Sequence, residues 1–264
     1  MITKIRRFDF LDKLEVLQAV DYQENFPYHF HDRICITLVN RGIECTNKND
    51  MELITPCQGI SVTPQNEVHA NPNKNLGSYS FVTYYISPDV FRYVNLQKDY
   101  VLTHSIIEDK KLYEDLLGFA LSPINTEKTF LSALQYFFQN YVEMANGTVE
   151  MDPISSIDLQ NALDYLKENF HRPISIEKLS QITGMSKYRF IRAFKKKKGI
   201  TPGQYIILKR IAKAKQLLRD EHTILDATYS SGFFDQSHMH RNFKRFIGVT
   251  PLEYQKACNI IQDF

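Results

Sequence analysis

The sequence has no long apolar run and few cysteines, and both absences narrow the class of protein. None of its hydrophobic segments reaches the roughly 18 residues that a membrane-spanning helix needs. The first ten residues carry four charged side chains and no apolar stretch, so no secretory signal is expected. The four cysteines include no CxxC pair, and no disulfide framework is indicated. These features predict a cytoplasmic protein with reduced thiols and no membrane partner.

The charge of the chain is divided unevenly between its two parts. The 264 residues are enough for two domains, and contents of 43% hydrophobic and 23% charged residues are ordinary for a globular protein. From residue 155 onward there are 19 lysines and arginines against 10 aspartates and glutamates, a net charge of +9. The preceding residues hold 13 against 20, a net charge of −7. This division indicates that the C-terminal part meets a polyanion.

The segment from about Phe8 to Ser87 has the pattern of short β-strands. Stretches such as 34–39, 59–62 and 80–86 are rich in β-branched and aromatic residues, and turn-forming residues separate them. Many short strands at close spacing are typical of a sandwich or a small barrel. We therefore predict a sheet-rich N-terminal domain.

Helical spacing of apolar residues replaces this pattern from about residue 106 to 146. The clearest stripe consists of Phe130, Leu134, Phe137 and Tyr141. Such a stripe packs either within its own domain or against a second copy of the chain, and spacing alone does not decide between them. Gly147 and Pro153 then bracket a short polar joint, which places the domain boundary between residues 150 and 151.

A repeat with an offset of 49 residues dominates the C-terminal third. The stretch 194–205 recurs as 243–254, and both copies contain a glycine followed two residues later by a Thr-Pro pair. Each copy belongs to a pattern of a short helix, a turn with a glycine and a second helix, which is the helix-turn-helix arrangement. Ser175 and Thr223 are suitable N-caps for the two short helices. The predicted helix-turn-helix units are residues 175–198 and 223–247.

The second helix of each unit has one apolar and one polar face. At about 100° per residue, the apolar side chains group on one side and leave a basic or polar set opposite. The outward residues are Tyr188, Arg192 and Lys195 in the first unit and Ser237, Arg241 and Lys244 in the second. Arginine can bind guanine through two hydrogen bonds in the major groove, and lysine more often contacts phosphates. One such face is equally typical of a solvated helix, but two matched faces in a basic domain predict DNA binding.

A long helix is predicted between the two units, from residue 205 to 219. Its apolar stripe consists of Ile207, Ile211, Ala214 and Leu218. An unbroken helix of this length rises about 22 Å, and successive major grooves on one face of DNA repeat at about 34 Å. One chain is therefore expected to read two adjacent major grooves of double-stranded DNA.

In these residues the C-terminal third resembles the AraC/XylS family of bacterial transcription regulators. The matching signature residues are Gly232, Phe233, Gln236, Ser237, Arg241, Phe243, Lys244 and the Gly-Val-Thr-Pro segment 248–251. The resemblance covers about residues 155–258 and implies a seven-helix domain with both recognition helices in the major groove. It also implies base-facing roles for four further residues, Lys187, Ile191, Gln236 and His240. Ala227 and Thr228 stand where the family usually has Ile-Ala, so the second helix-turn-helix unit is expected to pack more loosely or to read DNA less stringently.

The N-terminal part looks like the jelly-roll (cupin) sensor that is attached to many members of that family. The resemblance rests in part on three histidines, His29, His31 and His69. A metal-dependent cupin would also use a glutamate just downstream of His31, and none stands there. Three histidines could still bind zinc, but histidine in such strands more often forms hydrogen bonds within a core or pocket, so no metal, other cofactor or catalysis is expected. We instead predict an effector pocket lined by the three histidines and by barrel aromatics such as Tyr84.

Together these features predict an α+β protein of two domains. Residues 1–150 are expected to form a cupin-like jelly-roll β-barrel with flanking helices that senses an effector and dimerises. Residues 151–264 are expected to form an all-α DNA-binding domain, with two helix-turn-helix motifs joined by a long helix. The predicted function is a sequence-specific transcription activator that responds to a small molecule, contacts RNA polymerase and forms a homodimer. The alternatives are a metal-dependent cupin enzyme fused to a DNA-binding domain and a ligand-independent DNA-binding protein.

Overall fold

The computed structural model of the protein describes residues 2–48, 50–87, 89–90, 100–121, 127–144 and 156–259. The chain divides into two compact units. The first, or sheet unit, is formed by Met1–Asn146 with Lys256–Phe264, and the second, or helical unit, by Gly147–Gln255. The polar joint expected between Gly147 and Pro153 lies outside the described residues. Within the part of the chain that is described, no helix has both the length and the apolar character that crossing a membrane requires.

A six-stranded antiparallel sheet is the framework of the first unit. In spatial order its strands are β1 (Ile2–Arg7), β2 (Glu15–Tyr22), β9 (Tyr79–Ile86), β4 (Ile34–Arg41), β7 (Ile60–Thr63) and β11 (Ile106–Ile107). The central strands β4 and β9 are buried along most of their length. Strands that are covered on both faces lack a visible alternation of apolar and polar residues.

A smaller, four-stranded sheet faces the larger one. Its strands, in spatial order, are β3 (Phe26–His29), β8 (His69–Asn71), β5 (Glu44–Lys48) and β6 (Met51–Thr55). The hydroxyl of Ser61 on β7 donates to the carboxylate of Glu44 on β5 at 2.5 Å. The ring of His31, just after β3, packs against Tyr85 on β9. Polar side chains therefore lie between the two sheets.

Two helices, α1 (Lys110–Leu121) and α2 (Glu127–Tyr141), cover the other face of the large sheet. Their apolar side chains share one core with residues of the sheet, among them Ile36, Leu38 and Val82. The predicted stripe of α2 belongs to this core, since its members Phe130, Leu134 and Phe137 are fully buried. The stripe thus packs within the unit and not against a second copy, and each such side chain contributes about 1.5–3 kcal/mol through burial.

The helical segment predicted from about residue 106 to 146 is wrong at both ends, where short strands occur. At its start, β11 completes the large sheet by pairing with β7. At its end, β12 (Val142–Met144) pairs with β10 (Tyr100–Leu102). Strands of two or three residues contain too few side chains to leave a periodic signal, so their pairing partners decide the structure.

The C-terminal part of the chain is helical and contains both predicted helix-turn-helix units. Its helices are α3 (Ser156–Asn169), α4 (Ile176–Ile182), α5 (Lys187–Lys198), α6 (Pro202–Arg219), α7 (Ile224–Ser230), α8 (Gln236–Ile247) and α9 (Pro251–Asn259). Ser175 and Thr223 are the N-caps of α4 and α7, as predicted. The connecting helix α6 begins before its predicted start, because Thr201 and Gln204 form a capping box at its N-terminus.

The C-terminal end of α3 is held by two residues that are distant in sequence. Arg210 of α6 donates from Nε to the carbonyl oxygen of Phe170 at 2.8 Å and from Nη2 to that of Arg172 at 2.9 Å. These bonds satisfy carbonyl groups at the end of a helix. Gly232 lies against the same turn, where a Cβ atom would be 2.5 Å from the carbonyl oxygen of His171. The end of α3 thus joins the connecting helix to the second helix-turn-helix unit.

Candidate functional sites

The second helices of the two units, α5 and α8, are called recognition helices below and are built on the same plan. Both have 12 residues and begin at N-caps whose side chains accept backbone hydrogen bonds, Ser186 and Asp235. Both end at a left-handed glycine, Gly199 with φ of 73° and Gly248 with φ of 85°. Their fully buried side chains correspond as well, namely Phe190 and Phe194 in α5 and Met239 and Phe243 in α8. The repeat in the sequence is therefore a repeat in the structure.

The side chains predicted to contact DNA lie mainly on the exposed sides of these helices. Nine of the ten are exposed: Lys187, Tyr188, Arg192, Lys195, Gln236, Ser237, His240, Arg241 and Lys244. The tenth, Ile191, is half-buried. Tyr188 is 80% exposed, which is high for an aromatic side chain. The structure thus brings the predicted residues together in two matched surfaces, each with an arginine near the middle of its helix.

The first recognition helix is the more basic of the two. It carries seven lysines and arginines, whereas α8 carries three, and neither contains an acidic residue. Lys187 forms an exposed ion pair with Glu177 of α4, with 2.5 Å between Nζ and Oε1. Burial, together with the charges of Lys197 and Lys167, lowers the pKa of Lys198. Such a dense group of cations attracts a polyanion, which would relieve the repulsion among the lysines.

The turn of the second helix-turn-helix unit is one residue longer than the turn of the first. The stretch from the turn glycine to the N-cap of the recognition helix is 184–186 in the first unit and 232–235 in the second. In the longer turn Phe234 is 89% exposed, directly before the N-cap of α8. Phe234 is not among the residues predicted from the sequence to contact DNA. The signal was present, because the offset between the two copies is 48 residues at the N-caps Ser175 and Thr223 and 49 residues after the turn.

The three histidines of the first unit lie close together. His29 and His69 are buried and face each other across β3 and β8, and His31 is half-buried. Nε2 of His29 lies 3.0 Å from Nε2 of His31. Nδ1 of His29 is 2.7 Å from the carbonyl oxygen of Pro27, and Nδ1 of His69 is 3.1 Å from that of Glu67. Because a carbonyl only accepts, Nδ1 is the donor in both contacts.

Burial controls the protonation of the groups between the sheets. It lowers the pKa of His29 well below the ordinary 6.5, with help from His69, and lowers the pKa of His69 to about 4. For Glu44 the same cause acts in the opposite direction and raises the pKa from 4.5 to about 7, although the hydrogen bond from Ser61 opposes it. Asn71 also donates to this carboxylate at 3.2 Å. These ionisable groups therefore sit in a site that disfavours charge.

Tyr84, the fourth residue predicted for the pocket, does not lie with the histidines. Its hydroxyl donates to the carbonyl oxygen of Leu116 at 2.5 Å, and its ring centroid is 5.1 Å from that of Phe130 in the helix-covered core. The next residue, Tyr85, is on the opposite face of the strand, with its ring centroid 5.1 Å from that of His31. Because β9 is buried on both faces, the sequence does not reveal which tyrosine faces the histidines.

A cleft of about 430 Å³ in the first unit lies next to this cluster. Its lining consists of Lys48, Val62, Pro64, Gln65, Glu67, Val101, Leu102 and Ser105. Lys48 and Glu67 form an ion pair of 2.8 Å on its wall. Since the carbonyl group of Glu67 holds the ring of His69, the cleft and the histidine cluster share this residue.

Comparison with known proteins bears on both parts of the chain. The profile of a helix-turn-helix domain family matches residues 179–257. The multiple antibiotic resistance protein MarA of Salmonella typhimurium is 34% identical over 101 residues, which are 38% of this chain and 80% of MarA. The HTH-type transcriptional regulator YbfI of Bacillus subtilis is 26% identical over 238 residues, 86% of each chain.

The fold of the chain also occurs in a solved structure. The apo form of a ToxT point variant from Vibrio cholerae has a TM-score of 0.57 at 15% sequence identity, and the match covers 93% of this chain and 97% of ToxT. The combination of a sheet-rich N-terminal part and a helical C-terminal part is therefore an established architecture. The repeated helix-turn-helix units, the family profile across them and the similarity to MarA agree. The chain belongs to the AraC/XylS family of DNA-binding transcription regulators.

Proposed function

We propose that this regulator reads two adjacent major grooves of double-stranded DNA, with α5 in one groove and α8 in the next. The main support for this proposal is the pair of matched, exposed surfaces on two recognition helices of equal length. The 18 residues of α6 rise about 27 Å, which is comparable to the groove repeat of about 34 Å. The contacts of Arg210 and Gly232 with the end of α3 support the fixed spacing that such a reading mode needs.

Within this arrangement Arg192 and Arg241 are the side chains suited to read bases. Arginine matches the two acceptors of guanine, and both residues lie near the middle of their exposed surfaces. Lys195 and Lys244 are suited to hold phosphates. The remaining contact positions in this proposal are Lys187, Tyr188, Ile191, Gln236, Ser237 and His240.

Methylation protection tests this docking directly. Genome-wide mapping of bound sites supplies a target sequence, and dimethyl sulfate then reports the accessibility of guanine N7 in the major groove. We expect two protected clusters, separated by about one helical turn of 10–10.5 base pairs. A single protected cluster would contradict the two-groove arrangement.

For the first unit we infer a cupin-like jelly-roll sensor that binds a small polar effector between its sheets. Support comes from the polar interior. Burying an ionisable side chain such as Glu44 costs stability, and proteins keep such groups mainly where they serve another purpose. The pocket in this proposal is lined by His29, His31 and His69, and Tyr85 takes the place of Tyr84.

The proposed output is activation of transcription through contact with RNA polymerase, in keeping with the commoner output of the family. A homodimer is part of the proposal, and its interface uses a surface other than the buried stripe of α2. Effector binding must favour one of two states of the regulator, since a ligand shifts an equilibrium only by its difference in affinity. No catalytic step is proposed. Candidate effectors from the mapped target genes should raise the unfolding temperature of the first unit, and a transcript assay distinguishes activation from repression.

A further inference from the structure

The histidine cluster of the first unit has a geometry that suits a metal ion. One ligand nitrogen from each of His29, His31 and His69 lies within 4.8 Å of the other two. In a tetrahedral zinc site the metal–nitrogen distance is about 2.0–2.1 Å, which separates neighbouring ligand nitrogens by about 3.4 Å. The 3.0 Å between Nε2 of His29 and Nε2 of His31 is already close to that value. The other two separations are known to lie within 4.8 Å, so the rings would have to turn to bring the three nitrogens around one ion.

In two of the three rings the surroundings leave Nε2 as the nitrogen that is able to bind a metal. Nδ1 of His29 and Nδ1 of His69 donate to the carbonyl groups of Pro27 and Glu67. The lone pair of each ring is thereby placed on Nε2. Histidines that bind metals commonly donate their other ring N–H to a carbonyl or carboxylate, which sets the tautomer and the ring orientation.

We propose that His29, His31 and His69 together bind one zinc ion. Magnesium and calcium prefer oxygen ligands, whereas imidazole nitrogen suits zinc and its neighbours in the first transition series. Three protein ligands leave the fourth position of a tetrahedral zinc ion for water or for a donor atom of a bound molecule. The proposal concerns the first unit alone and does not depend on how the recognition helices meet DNA.

A hydrogen bond between two of the histidines is the competing explanation of the cluster. Since Nδ1 of His29 is a donor, its Nε2 is an acceptor, and the 3.0 Å contact then needs a proton on Nε2 of His31. Zinc binding removes that proton to solvent, and both Nε2 lone pairs then point to the metal. The two explanations therefore differ in whether the purified chain binds zinc.

The test uses the full chain without a histidine tag, stripped of metal by a chelator and dialysis. Zinc is titrated in competition with a chromophoric chelator, and cobalt(II) replaces zinc for visible spectroscopy of the coordination geometry. The variants are His29→Gln and His31→Gln, and the latter changes a half-buried ring that the fold tolerates more readily. His104→Gln in the sheet unit and His222→Gln in the helical unit are the controls, because both histidines are exposed and lie outside the cluster. Circular dichroism confirms that each variant is folded.

We expect one zinc ion per chain, and tetrahedral cobalt(II) bands, for the wild type and for both controls. Zinc affinity should fall by at least about 100-fold in His31→Gln and His29→Gln, since each loses one of only three protein ligands. Absence of stoichiometric zinc in the wild type would overturn the proposal. Unchanged affinity in a folded His31→Gln protein would overturn it as well, because the metal would then be bound elsewhere.

Discussion

The two units of the chain bury different kinds of polar residue. Among the described residues of the helical unit, the buried polar side chains are the hydroxyls of Ser180, Thr183, Thr228 and Ser231. Each donates to a carbonyl group of its own helix or of the turn that ends it. The described residues of the sheet unit include six buried ionisable side chains, which are Glu15, His29, Arg33, Glu44, Lys48 and His69.

The difference agrees with the two tasks proposed for the two units. Local hydroxyl bonds stabilise helix ends at little cost and leave a rigid body that presents its surface to a large partner. Buried carboxylates and imidazoles weaken a fold, and proteins keep such groups where a ligand uses them. We therefore expect the helical unit to lose stability when its packing is disturbed, and the sheet unit to gain stability when its interior is neutralised.

The largest effect is expected at the turn glycine of the second helix-turn-helix unit. Gly232→Ala places a Cβ atom 2.5 Å from the carbonyl oxygen of His171 and keeps a φ of 92°. The matched change Gly184→Ala has no atom within 4 Å of the new Cβ and keeps a φ of 63°. We expect the first change to cost about 3 kcal/mol or more and the second about 1 kcal/mol, which is the left-handed strain alone.

Urea unfolding followed by circular dichroism at 222 nm measures both changes in the free energy of unfolding. The two glycines share their turn position, so the comparison isolates the contact with α3. Equal losses of stability in the two variants would mean that the contact of Gly232 with the end of α3 does not stabilise the second helix-turn-helix unit.

The opposite sign is expected for Glu44→Gln in the sheet unit. The folded-state pKa is about 7 and the ordinary value is 4.5, so the folded chain holds more protons than the unfolded chain between these two pH values. Wild-type stability contributed by this group therefore falls as the pH rises from 4.5 to 7. Glutamine removes this loss, and the variant should exceed the wild type by about 3 kcal/mol above pH 7 and by almost nothing at pH 4.5.

Differential scanning calorimetry at pH 5 and pH 8 follows the transition of the sheet unit in both proteins. A difference between variant and wild type that does not grow with pH would show that Glu44 is ionised without penalty. The polar interior would then be no obstacle to folding, and the contrast between the two units would lose its main support.

The sequence predicts the helical unit far better than the sheet unit, for physical reasons. Helix caps, left-handed glycines and the period of 3.6 are local signals, and Ser175 and Thr223 act as the predicted N-caps. The face on which Tyr84 lies is set by pairing with distant strands, and β9 is buried on both sides. The contact between Gly232 and His171 is equally non-local. The family resemblance, in contrast, rests on consecutive residues that are visible without any structure.

A smaller effect separates the lysines of the two recognition helices. Lys195→Ala and Lys244→Ala should each weaken binding to all DNA sequences about equally and lower the salt slope by about 1. Lys195→Ala should keep a larger fraction of the wild-type affinity than Lys244→Ala, because three further lysines follow Lys195 in α5. Fluorescence anisotropy at several salt concentrations measures both quantities. A change in sequence preference in either variant would assign that lysine to base reading.

The smallest effect is expected for Glu177→Gln. This carboxylate pairs with Lys187 in the absence of DNA, and both side chains are exposed. Removing it leaves Lys187 available to DNA, so affinity should rise by about twofold at low salt and by less at high salt. The same anisotropy assay applies, with Lys187→Gln as the partner variant. Weaker binding by Glu177→Gln would show that the ion pair positions Lys187 productively.

The most direct test of the central claim compares Arg192→Ala with Arg241→Ala on a library of variants of one mapped site. We expect each change to cost about 1–3 kcal/mol on the target sequence and to relax base preference at its own position. The two relaxed positions should lie about one helical turn, 10–10.5 base pairs, apart. Intact sequence specificity in either variant, or relaxation of the same position by both, would contradict reading of two grooves by two recognition helices.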